Sequence, residues 1–140
     1  MLRVVLVIVA VLMSVAMVGC TGSRGTGGEN ALPPGVNVEL AEKGKQLFNT
    51  YACNTCHSVN GQAGIGPALN GIYGKQVKLE DGSTVTVDDA YLRESILNPD
   101  AKIVAGYPKG SMANLIQPFL PEIRKEENLS ALVEYIKSLQ

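Results

Sequence analysis

Apolar residues recur at helical spacing near both ends of residues 38–140, so the sequence predicts an amphipathic helix in each place. The stripe of the first helix is Leu40, Gly44, Leu47, Phe48 and Tyr51. The stripe of the last helix, with Asn128 as its candidate cap, is Leu129, Leu132, Val133, Ile136 and Leu139. Glycine within a helix costs about 1 kcal/mol relative to alanine. We therefore expect the two helices to cross closely, near Gly44 and Phe48.

A small β-hairpin and a third helix are predicted between these two. Residues 76–79 and 84–87 alternate in polarity and flank an Asp-Gly turn. The following residues resemble a capping box in which Thr86 is the N-cap. That helix should end at Asn98, because the next residue is Pro99 and proline disfavours helical backbone in the residue before it.

The first 37 residues differ in composition from the rest. A short basic start is followed by fifteen residues, 4–18, that are apolar except for Ser14. This run is shorter than the ~20 residues that span a bilayer and fits the core of a signal peptide. It ends at Cys20 in a sequence that resembles the bacterial lipoprotein box, so we predict a signal peptide over 1–19 and lipidation of Cys20. An ordinary cleaved signal or an uncleaved anchor is the alternative.

Residues 20–37 are predicted to be the lipidated cysteine and a flexible linker. Ten of the fifteen residues from Thr21 to Gly35 are Gly, Pro, Ser or Thr, which bury too little apolar surface to become ordered. Such a linker spans on the order of 20 Å and extends to about 50 Å. Residues 38–140 then form one small domain. The formal net charge of −1 gives no indication of nucleic-acid binding.

The pentapeptide Cys53-Asn54-Thr55-Cys56-His57 carries the clearest chemistry. Its spacing is typical of covalent c-type haem attachment, in which two thiols form thioethers and the histidine binds the iron. A disulfide, a thioredoxin-like redox pair or half of a zinc site is the alternative. The redox pair needs a βαβ context and the zinc site needs four ligands, and the sequence suggests neither. We therefore predict one haem c.

Counting the available ligands suggests how the iron is held. His57 is the only histidine, and Met112 is the only methionine beyond the predicted signal peptide. The two are the candidate axial ligands, a combination that raises the reduction potential. A lone methionine more often fills a core. Residues 100–121 contain several glycines and prolines, so we expect an irregular loop that brings Met112 to the iron.

Three other residues are candidate cofactor contacts. Pro67, in a glycine-rich loop, has a carbonyl that could accept a hydrogen bond from the ring of His57, although the segment could also be an ordinary surface loop. Leu69 ends the same loop. Tyr107 could hydrogen-bond a haem propionate or could be an ordinary half-buried tyrosine.

Taken in order, these motifs resemble class I cytochrome c across residues 39–139, most closely the cytochrome c domain fused to subunit II of caa3-type haem–copper oxidases. The matching segments are 44–48 (GKQLF), 53–57 (CNTCH), 66–69 (GPAL), 71–74 (GIYG), 79–83 (LEDGS), 90–96 (AYLRESI), 98–99 (NP), 106–108 (GYP) and 132–136 (LVEYI). The resemblance implies an all-α fold of three to five helices around one covalent haem, with a short β-hairpin insertion. It also implies that His57 and Met112 are axial ligands and that the Pro67 carbonyl orients His57.

Two features differ from that family. Ala113 follows Met112 where the family usually has proline, and residues 114–128 form a longer path to the last helix. No copper-binding domain precedes the cytochrome-like region, so a lipid tether would replace the fusion.

The expected function is electron transfer rather than catalysis. The protein would be a monomeric, lipid-anchored carrier in the bacterial cell envelope, outside the cytoplasm. It would pass single electrons from a quinol-oxidising respiratory complex to a terminal haem–copper oxidase. Four lysines could steer docking: Lys75, Lys78, Lys102 and Lys109. The alternatives are a peroxidase-like or gas-binding haem protein, which needs an open iron, and a fixed relay subunit of a larger complex.

Overall fold

The structure, a computed structural model, describes residues 32–140, so the predicted signal peptide and Cys20 lie outside the described residues. Within the described part, the helices are α1 (Val38–Thr50), α2 (Asp89–Leu97), α3 (Ser111–Ile116), α4 (Leu120–Ile123) and α5 (Glu126–Ser138). Short 3-10 turns cover Cys53–Thr55 and Gln117–Phe119, and the strands are β1 (Gln76–Lys78) and β2 (Thr84–Thr86). The predicted combination of helices with one hairpin is confirmed. None of the helices from residue 32 onward is long and apolar enough to cross a membrane.

The predicted crossing of the first and last helices is confirmed. Gly44 of α1 is buried, and a Cβ atom added to it would lie 1.9 Å from the backbone oxygen of Ala131 in α5. One turn further along α1, the rings of Phe48 and Tyr135 meet edge to face with centroids 5.3 Å apart. The crossing therefore depends on the missing side chain at Gly44, which lets the two backbones touch.

The hairpin is present, with Gln76 paired to Thr86 in an antiparallel register. The predicted cap of α2 is wrong, because Thr86 belongs to β2 and the helix begins later. Asp88 is the N-cap, and its Oδ1 accepts a hydrogen bond from the backbone N–H of Tyr91 at 2.8 Å. A carboxylate also suits the positive end of a helix dipole better than a hydroxyl does. The predicted end of α2 at Asn98 is confirmed.

The prediction of an irregular loop over residues 100–121 is wrong, because its second half contains α3, a 3-10 turn and the start of α4. Ile116, Leu120 and Ile123 are buried at helical spacing. Prolines are typical of loops, so Pro118 and Pro121 led to the prediction of a loop here. Both lie in the first turn of their helices, where a proline's missing N–H leaves no hydrogen bond unmade.

The predicted cap of the last helix is also wrong. Helix α5 begins at Glu126, with Lys125 in the N-cap position. The side-chain nitrogen of Asn128 instead donates to the backbone oxygen of Glu122 at 3.0 Å. Asn128 therefore ties the end of α4 to the start of α5, which fixes the segment that follows Met112.

Ion pairs hold α2 against α5. Arg93 makes two hydrogen bonds to the carboxylate of Glu126, at 2.7 and 3.0 Å. At the other end of the contact, Lys137 lies 3.4 Å from Asp89. Glu126 is largely exposed and Asp89 is half exposed, so each pair contributes little stability although Lys137 is mostly buried. The pairs connect α5 to α2, whose apolar face lines the site described next.

Candidate functional site

The helices and loops enclose one large, mostly apolar cavity with an empty volume of about 1310 Å³ including its mouth. Side chains from all five helices line it, together with the loops between them. All seven predicted cofactor contacts line this one cavity: Cys53, Cys56, His57, Pro67, Leu69, Tyr107 and Met112. Residues separated by up to 59 positions in the sequence thus share one space.

The Cys-His motif follows α1 through a strained residue. Ala52 has a φ of 56°, and it is the one non-glycine residue of the described chain in the left-handed region. This bend ends the helix and starts the 3-10 turn, in which the backbone N–H groups of Cys56 and His57 both donate to the Cys53 oxygen, at 3.2 and 2.9 Å. The turn brings both thiols and the imidazole to the cavity. The two cysteines are not joined to each other as a disulfide.

Burial favours the neutral forms of Cys53 and His57. It raises the pKa of the Cys53 thiol to about 11. It also lowers the pKa of His57, an effect that the hydrogen bond to the Pro67 carbonyl partly opposes. The Nδ1 atom of His57 lies 2.9 Å from the Pro67 oxygen. A neutral ring that donates from Nδ1 keeps a lone pair on Nε2, which is the state that binds a metal.

Gly66 packs directly against the imidazole of His57. A Cβ atom added to Gly66 would lie 2.6 Å from Cε1 and 2.8 Å from Nδ1 of the ring. The N–H of Gly66 is itself held by the Cys56 oxygen at 2.9 Å. The ring is therefore held between a bare backbone and the carbonyl of Pro67, which fixes its orientation.

Substituting Gly66 with alanine should displace His57. The φ angle of Gly66 is not left-handed, so the added methyl group causes no backbone strain and its main effect is the contact with the ring. We expect a loss of about 2 kcal/mol in the free energy of unfolding and a lower yield of haem-loaded protein. Denaturant titration and haem-stained gels measure these two quantities.

Gly82→Ala is the matched control. Gly82 has a φ of 87°, and nothing would lie within 4 Å of its added Cβ. It should lose about 1 kcal/mol through backbone strain and keep its haem yield. An equal haem yield in both variants would show that the His57 ring does not need this space.

Met112 reaches the cavity from α3, not from a loop as predicted. Gly110, with a φ of 80°, stands at the start of this helix, and its N–H donates to Oδ1 of Asp100 at 2.8 Å. Met112 is half-buried against the core. The longer segment after it is anchored by Phe119, whose ring lies 5.3 Å from that of Tyr51.

Helix α2 also forms part of the cavity wall, which the sequence did not lead us to expect. Its residues on the cavity wall are Tyr91, Leu92, Ser95 and Ile96. Counted from Tyr91, the other three follow at one, four and five positions, which places all four on one face of the helix. This spacing could have indicated from the sequence that α2 faces the cofactor. Of the four candidate docking lysines, only Lys102 lines the cavity, and it pairs with Glu94.

The residues present fit a covalently attached haem c. Two unpaired thiols, a neutral imidazole with a free Nε2 and a thioether all line a space that is otherwise mostly apolar. Over residues 32–140 there is no cluster of three or more His, Cys, Asp or Glu side chains that could hold a metal ion without such a cofactor. The zinc alternative therefore has no ligand set in this part of the chain.

The profile of the cytochrome c family matches residues 41–140. The chain belongs to the cytochrome c family. Cytochrome c2 iso-1 of Magnetospirillum fulvum is 32% identical over 98 residues, which are 63% of this chain and 91% of that protein. Cytochrome c2 of Rhodopila globiformis is 31% identical over 116 residues, 75% of this chain and 97% of its own. An engineered cytochrome c from Rhodothermus marinus superposes with a TM-score of 0.45 at 27% identity, covering 78% and 84% of the two chains.

Membership of this family confirms the predicted class I cytochrome c fold and the covalent haem c. It also identifies the protein as an electron carrier and not an enzyme. The motif at Cys53, Cys56 and His57 follows the first helix and lies on the wall of the cavity.

Proposed function

We propose that this cytochrome c is a lipid-anchored monohaem carrier. It takes single electrons from a quinol-oxidising respiratory complex and passes them to a terminal haem–copper oxidase. One observation supports it most strongly: His57 and Met112, the histidine and the methionine expected as iron ligands, line the same cavity as both cysteines. A carrier needs an iron whose ligand positions are filled by the protein.

Each residue has a distinct part in this proposal. Cys53 and Cys56 hold the haem through thioethers, and His57 and Met112 bind the iron. The haem, when bound, gains and loses one electron. The Pro67 carbonyl oxygen accepts a hydrogen bond from the Nδ1–H group of His57, with 2.9 Å between nitrogen and oxygen, and this leaves Nε2 free to bind the iron. Because Met112 stands on α3 and the His57 ring is held by Pro67 and Gly66, little protein rearranges when the charge of the site changes.

The mouth of the cavity supports contact with a partner protein. Among its lining residues, Ile65 is 59% exposed and Leu115 is 36% exposed. Lys102 is paired with Glu94, so it offers little free positive charge there. In this proposal the partner therefore docks mainly through apolar contact, and electrostatic steering is weak.

The proposals of a membrane anchor and of these two partners are based on the sequence. Cys20 ends a signal-like segment in a lipoprotein-like box, and several acyl chains on one residue anchor a protein firmly. The linker over residues 20–37 would let the domain reach two neighbouring complexes. The segments shared with the cytochrome c domain of oxidase subunit II favour a haem–copper oxidase as the acceptor. The protein would act outside the cytoplasm, in the bacterial cell envelope, and as a monomer.

Respiratory membranes provide the test. The full-length holoprotein should restore quinol-dependent oxygen uptake to membranes that contain both complexes but no cytochrome c. The domain from Thr21 onward, exported behind an ordinary cleavable signal, should remain in the soluble fraction and need at least about tenfold more protein for the same rate, because the anchor raises the local concentration. Oxygen electrode traces and haem-stained fractionation give both readouts.

Ser23→Ala, three residues after Cys20 in the linker, is the matched control and should behave as the wild type. A domain that starts at Thr21 and still sediments with membranes would contradict the lipid anchor. Fast peroxide-dependent oxidation of a small donor without any oxidase would instead favour the peroxidase-like alternative. Copurification with a membrane complex at fixed ratio through high salt would favour a fixed relay subunit.

A further inference from the structure

A single hydrogen bond joins the start of α3 to the turn that follows α2. The N–H of Gly110, which precedes the first residue of α3, donates to Oδ1 of Asp100 at 2.8 Å, and the contact is partly buried. Within residues 32–140, it is the one hydrogen bond that joins residues 108–112 to a segment outside α3. The position of the start of α3 therefore depends on Asp100.

The acceptor of this bond stands on a well-anchored part of the fold. Asp100 lies in a turn in which the N–H of Ala101 donates to the Asn98 oxygen at 3.0 Å. The helix before that turn is fixed by Ile96, which is buried in the core. A carboxylate is also a strong acceptor, because hydrogen bonds to a charged group are shorter and stronger than neutral ones.

The donor of the bond is close to Met112 along the backbone. Met112 lies in the first turn of α3, in which the N–H of Asn114 donates to the Gly110 oxygen at 3.0 Å. Because the residues of one helical turn move together, a shift of Gly110 moves Met112 as well. The far end of α3 is held separately by Ile116, which is buried. Asp100 and Met112 both line the cavity.

We propose that Asp100 is a positioning residue for Met112. By holding the N–H of Gly110, its carboxylate keeps the start of α3 where the thioether reaches the iron. This inference rests on the proposed function, in which Met112 binds the iron. Without the bond, the start of α3 loses its attachment to the turn after α2, and Met112 leaves the iron more often. An external ligand can then take its position more readily.

Imidazole titration of the oxidised holoprotein tests this role. Imidazole that replaces the methionine abolishes the weak far-red sulfur-to-iron band. Asp100→Ala should lose half of this band at an imidazole concentration about tenfold below that of the wild type. Asp100→Asn keeps an oxygen acceptor in a side chain of the same shape, so it should stay within about threefold of the wild type.

Asp81→Ala is the matched control. Oδ1 of Asp81 likewise accepts a backbone N–H, that of Ser83 at 2.8 Å, but Asp81 is exposed in the turn between β1 and β2 and is not among the described residues that line the cavity. Removing its carboxylate should leave the imidazole dependence of the far-red band unchanged.

Two results would overturn the inference while leaving Met112 ligation intact. One is an Asp100→Ala protein with the imidazole dependence of the wild type, and the other is an Asp100→Asn protein that matches the alanine variant. If the wild type itself lacks the sulfur-to-iron band, both the inference and the proposed ligation fail.

Amide hydrogen exchange in the wild-type holoprotein tests the same bond without any variant. The Gly110 amide should be protected, because its hydrogen bond must open before the proton exchanges. A Gly110 amide that exchanges as fast as one in an unfolded chain would overturn the inference, even if Asp100→Ala failed to fold.

Discussion

Gly44→Ala should lower the free energy of unfolding by about 3 kcal/mol, although the same change stabilises an ordinary helix by about 1 kcal/mol. The sign reverses because the new methyl group would lie 1.9 Å from the Ala131 backbone oxygen and 2.7 Å from Cβ of Tyr135. A backbone atom cannot turn aside as a flexible side chain can. Helices α1 and α5 would have to separate, which also loosens Phe48 against Tyr135.

Denaturant titration of the holoprotein measures this loss, and Gly74→Ala is its control. Gly74 has a φ of 78° with nothing within 4 Å of an added Cβ, so its alanine variant carries backbone strain without a clash. It should lose only about 1 kcal/mol. If Gly44→Ala is no less stable than Gly74→Ala, the close contact between α1 and α5 is not what holds this protein together.

Met112→Ala should strongly lower the reduction potential of the haem. Loss of the thioether removes a ligand that raises the reduction potential, so we expect the potential to fall by on the order of 0.1 V or more. The reduced variant should also bind carbon monoxide readily, because a ligand position becomes available. Potentiometric titration and optical spectra with carbon monoxide measure the two effects.

Leu115→Ala is the matched control for Met112→Ala. Leu115 belongs to the same helix and also lines the cavity, but it carries no sulfur. Its variant should keep a potential close to that of the wild type. If both variants had the wild-type potential and neither bound carbon monoxide, Met112 would be a core residue and another group would hold the iron.

The sequence predicted those parts of the fold that depend on local chemistry. The stripes of α1 and α5 recur over three turns, so their period was clear, and the presence of Gly44 in one stripe pointed to the crossing. The spacing of Cys53, Cys56 and His57 is itself the chemical signal for haem c. These features require no knowledge of distant contacts.

The remaining features depend on contacts between distant segments. Helices α3 and α4 are too short to show a clear period, and Pro118 and Pro121 are typical of loops until their helix-start positions are known. Thr86 and Asp88 are both good caps, and only the pairing of β2 decides between them. The sequence gives no sign that the Ser95 hydroxyl is buried without a hydrogen-bond partner, because this depends on residues that are distant in the sequence.

The optical spectrum of the oxidised wild-type holoprotein shows whether His57 and Met112 both bind the iron. We expect a low-spin spectrum with the weak far-red sulfur-to-iron band, present in the wild type and absent in Met112→Ala. Carbon monoxide should leave the spectrum of the reduced wild type unchanged. A high-spin spectrum, or ready binding of carbon monoxide by the reduced wild type, would show an open iron and contradict the assignment of this protein as a six-coordinate electron carrier.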